Sequence, residues 1–319
     1  MFAGLLGFYI FGTATASICA ASSSSPCGCV EHTTPTGRPP ALTGDNAEQF
    51  DKELNWPEWL MGITSLRRRL AGRARGEVLE LAMGSGRNLE YYDWTTLASA
   101  ATAATSGNGV VVNNDKIQGR NTSPAKTREG ASAGITSFTG LDVSADMLDV
   151  ARRKLTKTVP PLASSAPIVH ASTMADHTGR QLSYLDGHLR LVNSDAHNPL
   201  PPSRVSPTYD TIIQTFGLCS VSDPVAVLSN IATVVKPETG RIILLEHGKG
   251  WFGLVNGLLD QNAGKHFEKY GCWWNRDIEA LVEEAAKKTP GLEVVSIERP
   301  NILQMGTLVW VELRVTKAT

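Results

Sequence analysis

Hydrophobic and polar residues follow one another along the chain in an order that indicates strands alternating with helices. An apolar run at residues 78–81 is followed by small residues at Ala82, Gly84 and Gly86, and then by an amphipathic segment. This order is typical of a buried strand, a tight turn and the start of a helix. The hydrophobic pattern predicts strands that begin near Glu77, Ser137, His188, Tyr209, Arg241, Leu292 and Thr307.

Acidic residues stand at or near the ends of three predicted strands. Glu80 ends the first strand, Asp142 ends the second, and Asp195 with Ala196 ends the third. Because ligands of open α/β sheets bind at the carboxyl ends of the parallel strands, we expect the three carboxylates to border one cavity. An acid at the end of the second strand can accept both hydroxyls of a ribose, and Glu80 suits a positively charged ligand. Taken singly, each acid also fits a helix cap or a salt bridge.

The small-residue turn fits two classes of ligand. A dinucleotide favours the pattern G-x-G-x-x-G, but the third glycine position holds Leu89. The pattern acidic-x-small-x-Gly-x-Gly instead resembles motif I of the class I S-adenosylmethionine-dependent methyltransferases, with Ala82 where glycine is commoner. Residues 209–216 resemble motif IV of that family, and residues 234–246 resemble the helix, turn and strand that follow it.

This resemblance implies a doubly wound, Rossmann-like α/β domain at residues 45–319, with a seven-stranded sheet whose last strand is antiparallel. Residues 308–315 alternate between apolar and polar side chains as such a strand should. The implied cofactor is S-adenosyl-L-methionine, with its ribose on Asp142 and its adenine amino group facing Asp195. The implied cofactor-binding residues are Glu80, Ala82, Gly84, Gly86, Asn88, Asp142, Val143, Met147, Asp195, Ala196 and Gln214.

Several phrases resemble a narrower family, the fungal mitochondrial inner-membrane methyltransferase-like proteins that suppress an Oxa assembly defect. That family is related to the ubiquinone- and menaquinone-biosynthesis methyltransferases and, more distantly, to membrane-bound alkyl thiol methyltransferases. The resemblance implies an anchor in the mitochondrial inner membrane and a cofactor-binding domain in an aqueous space of the organelle. The phrases lie at residues 36–40, 59–64, 214–220, 245–249 and 270–275.

The first residues of the chain predict a membrane anchor followed by a linker. Residues 2–20 carry no charge and are just long enough to cross a bilayer, so we expect a single-pass anchor at residues 1–20. A cleaved signal peptide is the alternative, but no basic region precedes Phe2. The absence of an Arg-rich presequence departs from the family and indicates a missing import signal or an incomplete N-terminus. Residues 21–44 are rich in Ser and Pro and are expected to form a flexible linker.

Two stretches within the domain are interpreted as surface insertions, at residues 105–135 and 157–187. The first explains why Asp142 lies far downstream of Gly86. Before the first strand, residues 46–75 have a mostly helical pattern. The apolar residues Phe50, Trp56, Trp59 and Met61 in that leading segment either line a lid over the cofactor or pack on the sheet.

Composition narrows the choice of partners. The 319 residues carry a formal net charge of −1, which gives no electrostatic reason to expect nucleic acid. The run Arg67-Arg68-Arg69 is interpreted as a solvated helix face, with contact to anionic lipid as the alternative. The five cysteines are odd in number, which argues against a disulfide framework. Cys27 and Cys29 form at most half of a metal site, so no metal is expected.

The expected chemistry is methyl transfer from a sulfonium, in which the main task of the protein is to align the acceptor. A neutral acceptor such as a phenol or thiol must also lose a proton to a nearby base. His247 is the first candidate because it directly follows the predicted fifth strand; His266, Tyr270 and Cys272 are further candidates. Cys219 is interpreted as a thiol of the core or of the pocket wall.

The sequence therefore predicts a methyltransferase that acts on a small, apolar acceptor at the mitochondrial inner membrane. Two rival functions remain open. A nicotinamide-dependent oxidoreductase would share the first turn, but the missing third glycine and the Asp195-Ala196 pair count against it. A catalytically silent methyltransferase fold that supports assembly of inner-membrane complexes is equally compatible with the cofactor-binding residues. The residue pattern identifies neither the acceptor nor the oligomeric state.

Overall fold

The computed structural model describes residues 34–99, 134–159, 162 and 181–317. The predicted anchor, the first part of the predicted linker and most of the two predicted insertions lie outside the described residues. Within the described ranges, no helix has both the length and the apolar character that crossing a membrane requires.

The core of the protein is one eight-stranded sheet. In space the strands are ordered β3-β4-β2-β1-β5-β6-β8-β7. The five central strands are parallel to one another, namely β4, β2, β1, β5 and β6. The last strand pairs antiparallel with β6, as predicted. The strands are β1 (Gly76–Leu81), β2 (Ile135–Asp142), β3 (Gln181–Tyr184), β4 (Leu189–Asn193), β5 (Thr211–Thr215), β6 (Arg241–His247), β7 (Leu292–Glu298) and β8 (Leu308–Val315).

The expectation of seven strands was wrong, because the sheet has an additional edge strand. Strand β3 pairs antiparallel with β4 through a tight turn at residues 185–187, in a stretch that was interpreted as an insertion. Leu185, Asp186 and Gly187 all have positive φ in this turn. The strand has only four residues, and its side chains alternate between exposed and half-buried. Such a short edge strand leaves little hydrophobic signal in the sequence.

Helices cover both faces of the sheet, which makes the fold doubly wound. Helices α5 and α7 contribute to the hydrophobic cluster on one face, and α3 and α4 contribute to the cluster on the other. Neighbouring strand residues divide between the faces, since Leu79 belongs to the first cluster and Val78 to the second. The helices are α1 (Ala47–Glu53), α2 (Asn55–Leu60), α3 (Ile63–Ala71), α4 (Ala145–Thr158), α5 (Pro224–Val234), α6 (Gly253–Tyr270) and α7 (Ile278–Lys288).

The leading helices α1 to α3 do not place their aromatic residues over the carboxyl edge of the sheet. Trp56 and Trp59 are 66% and 67% exposed, so they neither line a lid nor pack on the sheet. Phe50 instead packs beside the small cluster that contains Met147, and its ring meets Tyr270 edge-on at 5.9 Å. Both alternatives for Trp56 and Trp59 were therefore wrong.

Candidate functional site

A cavity of about 180 Å³ lies at the carboxyl ends of β1, β2, β4 and β5. This is the edge at which open α/β sheets bind ligands. Of the eleven residues predicted to bind the cofactor, the seven that line the cavity are Ala82, Gly84, Asp142, Val143, Met147, Asp195 and Ala196. The four that do not line it are Glu80, Gly86, Asn88 and Gln214.

The turn after β1 places its backbone at the cavity by means of left-handed residues. Ala82, Gly84 and Gly86 have φ of 49°, 54° and 71°. A Cβ on Gly84 would have no heavy atom within 4 Å, whereas a Cβ on Gly86 would stand 2.4 Å from Leu89 Cδ1. The absence of a side chain at Gly84 therefore leaves space in the cavity for a ligand. The absence of one at Gly86 allows the turn to pack closely against Leu89.

The carboxylate of Asp142 lines the cavity and is held in place by two backbone N–H groups. Its Oδ2 accepts a hydrogen bond from the Gly84 N–H, and its Oδ1 accepts one from the Ser144 N–H, both at 2.8 Å. Burial raises the pKa of Asp142 to about 6, although these backbone N–H groups partly offset the rise. A carboxylate has about four lone-pair positions, so each oxygen can still accept a ligand hydroxyl.

Asp195 is held by His197, a residue that the sequence interpretation missed. The His197 ring Nδ1 lies 2.6 Å from Asp195 Oδ1, and its Nε2 lies 3.2 Å from the backbone N of Asp223. Because an N–H of the backbone can only donate, Nε2 accepts and Nδ1 carries the proton that it donates to Asp195. Burial raises the pKa of Asp195, but the bonds from His197 outweigh it and lower that pKa overall.

Glu80 does not border the cavity, and the expectation that three carboxylates would share it was wrong in this respect. The side chain is fully buried, where Oε1 accepts from Asn88 Nδ2 at 2.9 Å and Oε2 accepts from the Tyr92 hydroxyl at 2.7 Å. Burial raises the pKa of Glu80 to about 7. The physical reason is that the chain after the turn folds back over β1 and encloses the carboxyl group.

The remaining predicted residues sit beneath the cavity wall. Asn88 is fully buried and links Glu80 to Arg67, whose Nη1 donates to Asn88 Oδ1 at 2.8 Å. Gln214 is also fully buried, and its amide oxygen and nitrogen have no hydrogen-bond partner among the described residues. Both side chains belong to the support of the site and not to its surface.

A buried ion pair fixes the leading helices to this support. Arg67 is only 4% exposed and holds Glu58 with two hydrogen bonds of 2.9 and 2.8 Å. Its Nη1 also donates to Thr215 Oγ1 at the end of β5. The interpretation of the arginine run as a solvated face was therefore wrong for Arg67. The local sequence does not indicate that Arg67 is buried, because the three residues that accept its hydrogen bonds, Glu58, Asn88 and Thr215, lie in separate segments.

The predicted base His247 points at sulfur and not at the cavity. Its Nε2 lies 3.1 Å from Cys219 Sγ and 3.4 Å from Cys272 Sγ. The imidazole packs behind the cavity wall, where its centroid is 5.1 Å from that of Phe216. Of the further candidates for a base, Tyr270 is the residue that lines the cavity.

An N-terminal strap closes one side of the cavity. Pro35, Thr36, Gly37 and Pro39 line it, although these residues were assigned to the linker. The Gly37 N–H donates to the Ser220 carbonyl at 2.9 Å, which fastens the strap to the loop after β5. Proline fixes φ in advance, so ordering this strap costs less entropy than ordering most other sequences would.

A comparison with known proteins confirms the resemblance to methyltransferases that the sequence predicted. The relative is Methyltransferase OMS1, mitochondrial, of Saccharomyces cerevisiae, which is 27% identical over 259 residues. The match covers 81% of this chain and 43% of the yeast protein, so the chain spans less than half of its relative's length. No protein-family model matches the chain.

Two solved structures are similar as well. The DhpI-SAM-HEP complex has 15% sequence identity and a TM-score of 0.46, over 85% of this chain and 92% of that chain. The complex of the Haloferax volcanii Trm112 methyltransferase activator with its methyltransferase has 14% identity and a TM-score of 0.47, over 86% and 97%.

Proposed function

We propose that the chain is an S-adenosyl-L-methionine-dependent methyltransferase. The observation that carries this proposal is the pair of carboxylates on one cavity, Asp142 at the end of β2 and Asp195 at the end of β4. A carboxylate at the second strand end suits the two hydroxyls of a ribose. The similarity to a yeast methyltransferase supports the same assignment.

The residues of the cavity fit a nucleoside carrying an amino acid. Asp142 would accept the ribose hydroxyls, and Asp195, aligned by His197, would accept a hydrogen bond from the adenine amino group. Gly84 presents backbone without a side chain, so the rest of the ligand can approach the turn closely. When bound, the cofactor would supply an electrophilic methyl group, and the protein would contribute mainly alignment and exclusion of water.

Removal of a proton from a neutral acceptor needs a base at the cavity. His247 remains the prediction from sequence, but its Nε2 contacts the two thiols. Tyr270 lines the cavity and lies beside His266, with ring centroids 4.6 Å apart and ring planes tilted by 39°. Tyr270 is therefore the better-placed group of the predicted set.

We propose further that the acceptor is a small, apolar molecule reached from a membrane surface. Large apolar side chains are exposed around the short helical turn at residues 302–304. On either side of this turn, Asn301 Nδ2 donates to the Met61 carbonyl and the Trp251 N–H donates to the Met305 carbonyl. Tryptophan is enriched where proteins meet the boundary between lipid and water. This apolar patch consists of Trp56, Trp59, Leu60, Trp251, Phe252, Leu254, Ile302 and Leu303.

The predicted anchor can keep this apolar patch at a bilayer. A fully extended segment of 13 residues, the length of residues 21–33, reaches about 43–47 Å, which would be enough for the predicted domain to contact the membrane surface. The yeast relative is called mitochondrial, which supports a mitochondrial location for this chain. The inner membrane is the part of this proposal that rests on the sequence resemblance and on the predicted anchor.

Methyl transfer can be tested directly. Wild-type chain, incubated with mitochondrial membrane extract and methyl-labelled S-adenosylmethionine, should label a small lipid-soluble product. With S-adenosylmethionine below saturation, Asp142→Asn should lower the labelling by at least about 10-fold, because it weakens the hydrogen bonds to the ribose. Loss of labelling alone would also follow from misfolding, so the variant must keep the wild-type melting temperature.

The alternative of a silent scaffold makes the opposite prediction. If an Asp142→Asn chain that folds but shows no measurable methyl transfer fully rescues a strain that lacks the protein, the function in the cell does not need methyl transfer. Loss of rescue together with loss of labelling supports the enzyme. Binding of a nicotinamide dinucleotide in place of S-adenosylmethionine would support the oxidoreductase alternative.

A further inference from the structure

Three potential metal ligands meet behind the wall of the cavity. Cys219, His247 and Cys272 each bring one ligand atom to within 4.8 Å of the other two. The two thiols are buried, at 1% and 5% exposure, and His247 is half-buried. None of the three lines the proposed cofactor cavity. The proposed methyl transfer therefore leaves this cluster without an explanation.

The fold holds the three residues in place through backbone contacts between distant segments. Cys219 follows β5, and the Trp273 N–H donates to its carbonyl oxygen at 2.9 Å, which brings Cys272 alongside. Arg276 strengthens the same junction by donating to the carbonyl oxygens of Leu218 and Val221. His247 is the last residue of β6. The cluster is thus assembled by tertiary structure.

The distances within the cluster are close to those of a tetrahedral zinc site. Zinc binds sulfur at about 2.3 Å and imidazole nitrogen at about 2.0 Å, so neighbouring sulfur and nitrogen ligands lie about 3.5 Å apart. His247 Nε2 lies 3.1 Å from one sulfur and 3.4 Å from the other. A single imidazole nitrogen directed at two thiols at once is the arrangement that an ion between them would require.

A fourth side chain stands next to the cluster. His266 Nε2 lies 3.2 Å from Cys272 Sγ, and its ring is stacked on Trp274 with centroids 4.0 Å apart. The same imidazole lies beside His247, at a centroid distance of 5.9 Å. His266 is therefore a fourth potential ligand in contact with Cys272, although its nitrogen lies outside the group of three ligand atoms that are all within 4.8 Å of one another.

We propose that Cys219, His247 and Cys272 bind one zinc-type divalent ion and that His266 supplies the fourth ligand. On binding, each cysteine thiol gives up its proton to solvent, so one dication and two thiols yield a neutral site and two released protons. Two cysteines and two histidines form a common zinc ligand set. The expectation of no metal considered only Cys27 and Cys29, because the four ligands proposed here lie far apart in sequence.

Such an ion would stiffen the cavity wall. Gly217 and Ser220 line the cavity within two residues of Cys219, and Tyr270 lines it two residues before Cys272. A metal ion bound by both segments and by His247 at the end of β6 would fix the position of the cavity-lining residues Gly217, Ser220 and Tyr270 relative to one another. The proposal stands on the geometry of the cluster and does not depend on methyl transfer.

Metal content and cobalt spectroscopy test the proposal on the full chain. Purified wild-type protein is expected to carry about one zinc ion per chain, and the double variant Cys219→Ser/Cys272→Ser should retain less than about a tenth of it. The matched control Cys27→Ser/Cys29→Ser removes the same number of thiols and should keep the full metal content. His266→Ala should weaken zinc binding by about 10- to 100-fold.

Cobalt titration of the metal-stripped wild-type chain gives a readout that does not require any variant to fold. A tetrahedral site with two thiolates should show thiolate-to-cobalt charge-transfer absorption and intense visible bands, both lost on addition of zinc. Absence of these bands in a folded wild-type chain would overturn the proposal. Equal loss of metal in the Cys27→Ser/Cys29→Ser control would overturn it as well, because the ion would then lie elsewhere.

Discussion

At the scale of single residues, the two glycines of the turn after β1 have different tasks. Gly84 faces the cavity with open space where a Cβ would stand, whereas a Cβ on Gly86 would press on Leu89. Ala82 shows that an alanine can adopt the left-handed conformation in this turn, with φ of 49°. The two positions therefore allow binding and folding to be separated by substitution.

Gly84→Ala should weaken binding of S-adenosylmethionine by at least 10-fold, because the added methyl group would project into the cavity. Its cost to stability should be only about 1–2 kcal/mol, the usual cost of a left-handed alanine. Gly86→Ala should show the reverse order, with a larger loss of stability. Calorimetric titration and urea unfolding of both variants measure the two effects. A Gly84→Ala chain that binds normally would contradict this assignment of the wall.

The raised pKa of Glu80 leads us to expect that the stability of the folded protein depends on pH. Its pKa of about 7 in the folded protein exceeds its ordinary value of 4.5, so the folded state binds a proton more tightly than the unfolded state. The free energy of unfolding should therefore fall as the pH rises through this window. A shift of this size corresponds to about 3 kcal/mol.

Glu80→Gln removes the titrating group but keeps hydrogen-bonding atoms toward Asn88 and Tyr92. Urea unfolding between about pH 4.5 and pH 7 should show a smaller decline in this variant than in the wild type. Some decline should remain, because the pKa of Asp142 is also raised, to about 6. Identical declines in both chains would show that Glu80 is ionised throughout.

Local sequence patterns were enough to place Asp142 at the cavity but not to place Glu80, for a physical reason. Asp142 ends its strand, and the backbone N–H groups that face it belong to the adjoining turns. The surroundings of Glu80 depend on where Asn88 and Tyr92 fold back, which no local pattern records. His197 was missed because its role appears only when Asp195 and Asp223 are brought together.

At the scale of elements, salt bridges connect the leading helices α1 to α3 to the residues beneath the cavity. Arg67 on α3 joins Glu58 on α2 to Thr215 at the end of β5. Arg87, which follows the turn after β1, contacts the same Glu58 at 3.0 Å and Asp51 on α1 at 2.9 Å. These contacts explain why α1 to α3 support the site without covering it.

Arg67→Met should lower the free energy of unfolding by about 3 kcal/mol, because it leaves Glu58 buried with one fewer cation. The loss should stay near the lower end of the usual range, since Arg87 still contacts Glu58. Arg69→Met is the matched control. Its partner Glu298 is 43% exposed, and the Arg69 guanidinium lies 4.4 Å from the Trp310 ring centroid, so the loss of Arg69 should cost about 1 kcal/mol, less than the loss of Arg67.

Urea unfolding of the two variants provides the comparison. Restoration of part of the loss in the double variant Glu58→Gln/Arg67→Met would identify the unpaired carboxylate as its cause. Equal losses for Arg67→Met and Arg69→Met would contradict the distinction between the buried pair and the exposed pair.

Most strands were predictable because their apolar runs are continuous and buried on both faces. The observed starts lie within two residues of the predicted ones, for example Ile135 against Ser137 and Thr211 against Tyr209. The additional strand β3 and the N-terminal strap were not predictable in this way. Both lie at the edge of the fold and are held by pairing with other segments, as Gly37 is by Ser220.

At the scale of the whole molecule, the apolar patch and the predicted anchor suggest a protein that lies against a membrane. Reconstitution of the full chain in vesicles that contain brominated lipids should quench the fluorescence of the exposed tryptophans. Substitution of Trp56, Trp59 and Trp251 by tyrosine should remove most of this quenching. The remaining four tryptophans are an internal reference, and three of them, Trp94, Trp273 and Trp310, are buried.

Wild-type quenching no greater than that of the triple variant would show that the apolar patch faces water or another protein. The domain would then have to receive its acceptor from solution. The proposed cofactor cavity would be unaffected by this outcome, because none of the three tryptophans lines it.

Calorimetric titration of the full chain with S-adenosylmethionine tests the central assignment most directly, with Asp142→Asn and the control Asp186→Asn measured beside the wild type. Asp186 lies in the tight turn before β4, away from the cavity lining, and asparagine tolerates its positive φ. If Asp142 holds the ribose, we expect binding by wild type and by Asp186→Asn, and at least about 10-fold weaker binding by Asp142→Asn. Wild-type binding that Asp142→Asn leaves unchanged, or no binding by the folded wild type, would contradict this assignment.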